Sequence, residues 1–247
     1  MNAHRAMTYA SFMISIALFG VNMRRVSMKK AVCIVSGGMD SALSTKIAQK
    51  AGYEVIAVHF NYGQRTQAKE LASFRQVTDS MAIDQKYEID LPFFTQIGAS
   101  ALVDKSIEVP IGGVEDGVPT TYVPFRNGIF LSISTAIAEK HGAEAIYIGV
   151  VEEDSSGYPD CRASYIEQMQ RAINLGTKDE TDITIEMPLV ALQKSEIVQR
   201  SIELGVPLEY TWSCYQSEDK ACGVCDSCRL RLRGFERAGE IDPIEYK

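Results

Sequence analysis

Short apolar runs alternate along this chain with longer stretches whose apolar residues recur at helical spacing. Ala31–Val35 is an unbroken apolar run that stops at Ser36-Gly37-Gly38, which predicts a buried strand followed by a tight turn. Ser41–Lys50 continues at helical spacing and is closed by Gly52. Glu54–Phe60 predicts the next strand, Thr66–Met81 the next helix and Tyr87–Asp90 a third strand. From Leu91 to Pro124 the pattern dissolves into Gly, Pro and Thr, a loop of a length that compact domains keep mainly for function. The alternation then resumes: Asn127–His141 as a helix, Ala145–Val150 as a strand, Glu152–Asp160 as a polar loop, Ser164–Leu175 as a helix. Ile183–Met187 predicts a last strand, and Ser195–Leu204 a helix stopped by Gly205. Strands separated by helices imply parallel βαβ units, hence an α/β fold with a doubly wound, mostly parallel sheet. No internal repeat or low-complexity linker interrupts it. Three parts are expected: an extension over 1–27, an α/β domain over 28–209, and a cysteine-bearing segment with an Arg-rich helix over 210–247.

Composition narrows the function classes. A chain of 247 residues, 46% hydrophobic and 23% charged, suits one ordinary globular domain. Its net charge of −7 argues against a nucleic-acid partner, which would draw on a basic excess. Any phosphate site must therefore be made of backbone amides and a few chosen cations. Tyr9–Val21 carries no charge but is too short to span a bilayer, and no small-residue cleavage site follows it before Arg24-Arg25. The expectation is no membrane partner, a cytoplasmic location, Met28 as the functional start and an extension without a functional role.

The chemistry concentrates first in Ser36-Gly37-Gly38-Met39-Asp40-Ser41, between a predicted strand and a predicted helix. Two glycines let successive N–H groups turn outward, and the helix that follows points its positive end at the same place. Ser36 and Ser41 add hydroxyls; Asp40 is either a helix cap or a partner for Mg²⁺. A plain capped turn would explain two glycines, but not the whole string. The Gly-Lys-Ser/Thr of the Walker loop is missing, which excludes most kinases and GTPases. SGGxDS resembles the loop of the N-type ATP pyrophosphatases, which adenylate a substrate oxygen.

Cys214, Cys222, Cys225 and Cys228 form the second concentration, spaced C-x7-C-x2-C-x2-C. Four thiolates satisfy tetrahedral Zn²⁺, making the site structural; an iron–sulfur cluster also takes four cysteines, and spacing alone does not separate them. Such a site would pin Trp212 and Arg229 onto the domain. Reduced buried thiols or a Cys225–Cys228 redox pair are the plainer alternatives.

Further strings follow strands or enter helices, where a parallel sheet binds ligands: Asn61-Tyr62-Gly63-Gln64-Arg65, Pro119–Asn127, the loop from Glu153 through Gly157-Tyr158-Pro159-Asp160-Cys161-Arg162, Lys194-Ser195-Glu196-Ile197 and Trp212-Ser213-Cys214-Tyr215. Taken singly, these tyrosines and cations would be packing or solvated residues. From about Lys29 to Arg237 the set resembles the 7-cyano-7-deazaguanine synthases, nitrile-forming enzymes of queuosine-precursor synthesis. That resemblance implies an adenine nucleotide α-hydrolase-like fold, ATP, Mg²⁺ and Zn²⁺ as cofactors, and a homodimer. It implies 7-carboxy-7-deazaguanine and ammonia as substrates, with two rounds of adenylation. It places ATP on Val35, Ser36, Gly37, Gly38, Met39, Asp40, Ser41, Ala42, Leu43, Ser44 and Thr45, with Ser36, Asp40, Ser41 and Lys194 catalytic. The substrate is expected on Tyr62, Arg65, Arg126, Asn127, Asp160 and Arg162, and zinc on the four cysteines. No glutaminase nucleophile is visible, since Cys33 lies within a strand and Cys161 has no nearby His. Rival readings are a tRNA thiolase or NAD synthetase of the same superfamily, and a non-catalytic zinc-stabilised nucleotide-binding module.

Overall fold

In the computed structural model, which describes residues 28–111, 117–152 and 157–247, five parallel strands form one sheet in the order β3-β2-β1-β4-β5. The central strand is β1 (Lys30–Ile34), whose Cys33 lies opposite Ala57 of β2 (Glu54–Asn61) and Tyr147 of β4 (Ala145–Tyr147). Outer positions go to β3 (Gln85–Asp90) and β5 (Thr184–Glu186). Because side chains alternate along a strand, both faces of β1 need cover. Val32 and Ile34 pack with Ile56, Val58 and Leu131 on one face; Ala31, Cys33 and Val35 pack with Leu43, Phe74 and Val198 on the other.

Helices supply that cover in chain order: α1 (Met39–Lys50), α2 (Gln67–Ser80), the short α3 (Phe93–Ile97), α4 (Arg126–His141), α5 (Ala163–Gly176), α6 (Lys194–Leu204) and α7 (Asp226–Ala238). The chain builds outward from β1 through β2 to β3, then crosses back to add β4 and β5 on the other side. That reversal leaves a crevice at the carboxyl ends of the central strands, the place where doubly wound sheets take ligands.

Two expectations change in detail. The strand expected over Ala145–Val150 ends at Tyr147, since Gly149 must lie flat against the start of α1. The loop from Leu91 to Pro124 contains α3, and Arg65 holds it by donating to the carbonyls of Ala101 (2.5 Å), Ile107 (2.6 Å) and Asp104 (3.1 Å). Among the described residues no helix is long and apolar enough to cross a membrane. The run Tyr9–Val21 and Glu153–Ser156 of the polar loop lie outside the described residues.

Candidate active site

The Ser36–Ser41 loop connects β1 to α1 and forms one wall of a cleft of about 280 Å³ at the sheet edge. Its shape is held by its own hydroxyls. Ser36 N–H donates to Ser41 Oγ (3.2 Å), Gly38 N–H donates to Ser36 Oγ (3.2 Å), and Ser41 Oγ–H donates to the Gly38 carbonyl (2.9 Å). The first intrahelical bond runs from Ala42 N–H to that same carbonyl, so the amides of Met39, Asp40 and Ser41 have no intrahelical acceptor. No side chain caps α1. An uncapped helix start with rigid hydroxyls beside it is an anion site.

Close backbone packing explains the glycines. Gly37 has φ of +89°, and a Cβ there would stand 2.6 Å from the Glu70 carbonyl. At Gly149 a Cβ would stand 2.8 Å from Ser41 N. Trp212 N–H donates to the Gly37 carbonyl (2.9 Å), so the chain entering the cysteine segment braces the loop from outside.

Asp40 neither caps α1 nor stands alone. Lys194, the first residue of α6, reaches it with Nζ at 2.8 and 2.9 Å from the two carboxylate oxygens. Lys194 is only 12% exposed against 30% for Asp40, so this pair sits well above a surface ion pair in strength. Gly234 of α7 leaves room for the lysine stem, since a Cβ there would come within 2.5 Å of Lys194 Cγ.

The opposite end of the cleft is aromatic and cationic. Arg126, first residue of α4, donates from Nη1 to Tyr62 Oη (2.8 Å) and lies over the Tyr62 ring. Burial pushes the Tyr62 phenol up to about 12 against the pull of Arg126, so it stays a neutral acceptor. Tyr158 and Tyr215 close this end, and the Tyr158 hydroxyl is bonded to Thr121 Oγ1 at 2.7 Å. Asn127 also faces the cleft; its N–H donates to Asp160 Oδ2 (2.9 Å) and its Nδ2 donates to Cys161 Sγ (3.3 Å).

Not every expected site residue reaches the cleft. Ala42, Leu43, Ser44 and Thr45 are buried inside α1, where Leu43 and Ala42 belong to the core. Asp160 is buried below Asn127 as a partner of the first turn of α4, and Arg162 is exposed at the start of α5. Arg65 borders the cleft, but its guanidinium is taken up by the three loop carbonyls. Cys161 lines the cleft, yet burial, then the neighbouring Asp160, push its thiol up to about 12, far from a ready nucleophile. Unnamed by the sequence reading were Glu70 and Arg231, both in the cleft wall. Thr66, with an acid four residues on in a first helical turn, was the available signal for Glu70.

Cys214, Cys222, Cys225 and Cys228 each offer a sulfur, all within 4.8 Å of one another, and Cys222 and Cys228 are 3.9 Å apart. The edge of a tetrahedron with Zn–S of about 2.3 Å is about 3.8 Å, so one ion fits. A cluster cage would hold the sulfurs further apart. Amides of Gln216 and Cys222 point at Cys214 Sγ, and that of Cys225 at Cys222 Sγ, each at 3.4 Å, as thiolate ligands require. Hydrogen bonds from Cys225 and Cys228 hold the Cys214 thiol well below its usual range. The buried arginine of this segment is Arg231, bonded to Asp242 (2.7 and 2.9 Å) and Thr211 (2.7 Å); Arg229 is exposed, so only Trp212 of the expected pair is held on the domain.

Comparison with known proteins covers nearly all of this architecture. The family model described as queuosine biosynthesis protein QueC matches residues 30–239. A 7-cyano-7-deazaguanine synthase of Sulfurovum sp. (strain NBC37-1) is 78% identical over 219 residues, 89% of this chain and 99% of that one. The synthase of Aliarcobacter butzleri (strain RM4018) is 67% identical over 225 residues, 91% of this chain and 99% of that one. A solved structure of a 4-thiouridine synthetase with RNA and bound ATP is a remoter likeness, at 20% identity and a TM-score of 0.48, covering 85% of this chain and 50% of that one.

Proposed function

The chain belongs to the family of the queuosine biosynthesis protein QueC, and from that premise we propose that its cleft converts 7-carboxy-7-deazaguanine and ammonia to 7-cyano-7-deazaguanine with ATP. The observation that carries this reading is the shared cleft: an uncapped anion site at Ser36–Ser41 and an aromatic, cationic end at Tyr62, Arg126, Tyr158 and Tyr215 face the same space. A phosphate chain at one end and a planar anionic heterocycle at the other would meet between them.

In the first round a carboxylate oxygen of the substrate attacks the α-phosphorus, and pyrophosphate leaves. The amides of Met39 and Asp40 and the hydroxyls of Ser36 and Ser41 would hold the phosphate oxygens, where donors fixed in advance lower the barrier most. Lys194 Nζ, anchored by Asp40, is placed to follow the charge that builds on departure. Asp40, whose carboxylate keeps lone pairs beyond those taken by Lys194, would hold Mg²⁺, which would supply further neutralisation of the leaving pyrophosphate. Ammonia then attacks the acyl carbon, loses a proton, and AMP departs to leave the amide. In the second round the amide oxygen attacks another ATP; loss of the nitrogen protons and of AMP leaves the nitrile. Each AMP carries away one carboxylate oxygen. Zn²⁺ on the four cysteines would fix the wall formed by Trp212, Ser213 and Tyr215 without touching the reacting atoms.

Mass spectrometry of the product after incubation with 7-carboxy-7-deazaguanine, ATP, Mg²⁺ and ammonium tests the proposal. A nitrile is expected; an unchanged acid, or a thiolated product when a sulfur donor is supplied, would falsify it.

A further inference from the structure

One carboxylate in the cleft has no part in adenylation. Glu70 stands in the first turn of α2, and its side chain enters the cleft near Tyr62 and Arg126. Its oxygens take only neutral donors, Thr66 Oγ1 at 2.7 Å and Gln64 Nε2 at 3.1 Å, and it makes no ion pair among the described residues. Those donors are themselves fixed. Gln64 Oε1 accepts Tyr62 N–H (2.8 Å), which leaves its amide nitrogen facing Glu70, and the Thr66 hydroxyl is 3.2 Å from the Cys214 carbonyl. A carboxylate offers about four lone-pair sites, so two remain for a ligand. Burial holds this carboxyl above the ordinary carboxylate range, opposed in part by the two hydrogen bonds and by Arg126. A half-buried carboxylate with no counter-ion and lone pairs still open is costly to keep unless a further donor reaches it.

Rings of the guanine type present two adjacent donors, N1–H and the 2-amino group. Two carboxylate oxygens match that pair; adenine presents one donor beside one acceptor and does not. We infer that Glu70 is the specificity-determining residue that reads the deazaguanine ring, accepting from N1–H and the 2-amino group. This rests on the substrate proposed above. Arg126 stands close enough to serve the ring's 6-oxo group from the same side. The main chain of Glu70 packs directly on Gly37, so the residue that would read the ring and the phosphate loop are held by one contact.

The test is a two-by-two comparison at saturating ATP and ammonium. Wild type and Glu70→Gln are assayed with 7-carboxy-7-deazaguanine and with its analogue lacking the 2-amino group. Wild type should lose about 10- to 100-fold in kcat/KM on the analogue, the scale of one bidentate base contact. Glu70→Gln should lose a similar factor on the parent compound, mainly in KM, and should discriminate the two compounds several-fold less. Its KM for ATP should stay within about twofold. Undiminished discrimination in the variant, or a KM shift confined to ATP, overturns the assignment. If Glu70→Gln does not fold, Glu70→Asp, which withdraws both oxygens by one methylene with the charge kept, is expected to show the same loss on the parent compound and the same reduced discrimination. Wild-type enzyme that forms no nitrile removes the substrate reading, and this inference with it; nitrile formation with unaltered variant kinetics removes the Glu70 assignment alone.

Discussion

At the residue scale, the cleft depends on a few positions whose replacement has a definite sign. Asp40→Ala removes a carboxylate partner of Lys194, whose side chain is only 12% exposed. Turnover should fall by about 10²- to 10³-fold, the range for loss of one preorganised charge-stabilising group, while circular dichroism and zinc content stay unchanged. Gly37→Ala needs both a left-handed backbone and a Cβ 2.6 Å from the Glu70 carbonyl. It should cost about 1–3 kcal/mol of stability by overpacking, read by urea titration, and lose ATP binding. Glu70 has its own pH signature. Its folded-state carboxyl is raised, so ionisation disfavours the fold, and protonation below that raised value restores the stability. Relative to Glu70→Gln, the wild type should be less stable at neutral pH, with the gap closing as pH falls into the ordinary carboxylate range. The turn that carries Ser36, Asp40 and Ser41 was legible because a strand and a helix flank it; the nucleotide role proposed for these residues rests on the cleft they face. Arg65 and Arg162 were expected at the substrate; Arg65 bonds three loop carbonyls at the cleft border and Arg162 is exposed, because a cation in a string carries no sign of what its guanidinium will meet. Glu70 was missed for the converse reason: only the docking of the cysteine segment and the α2 start turns it into the cleft.

At the element scale, α1 starts uncapped against the cleft while α6 carries a full capping box between Gln193 and Glu196. Since α2, α4, α5 and α7 also start without a side-chain cap, what sets α1 apart is the hydroxyl-bearing loop before it and the cleft it faces. The cysteine segment braces the same loop through Trp212 and caps α2 from outside, where Glu218 Oε1 accepts from Ala68 and Lys69 N–H (3.2 and 3.4 Å). Cys225→Ser should therefore lower bound zinc below one equivalent, reduce the melting temperature and weaken ATP binding together. Normal ATP affinity in a metal-depleted variant would contradict the bracing role. Arg231 and Asp242 have side chains only 2% and 4% exposed. Replacing Asp242 with Ala strands a buried guanidinium and should cost about 3–5 kcal/mol in chemical denaturation. The cysteine spacing announced this segment, but the Arg231–Asp242 pair that ties down the chain end could not be read from it, since an Arg-rich helix looks solvated until it is packed.

At the scale of the whole molecule, alternation of apolar strands with amphipathic helices was enough to place a parallel, doubly wound sheet, because βαβ units leave few other solutions. What pattern alone did not supply was strand order. The crossing from β3 back to β4 next to β1 opens the crevice, and with it the meeting of loop, aromatic end and cysteine segment. In the chemistry proposed for the cleft, one loop activates oxygen twice, first of the carboxylate and then of the amide. Supplying 7-carboxy-7-deazaguanine labelled with ¹⁸O at both carboxylate oxygens, and analysing nucleotide products by mass spectrometry, tests it most directly. Two AMP per nitrile, each carrying one labelled oxygen, is the predicted result; ADP and phosphate, or AMP without label, would contradict it.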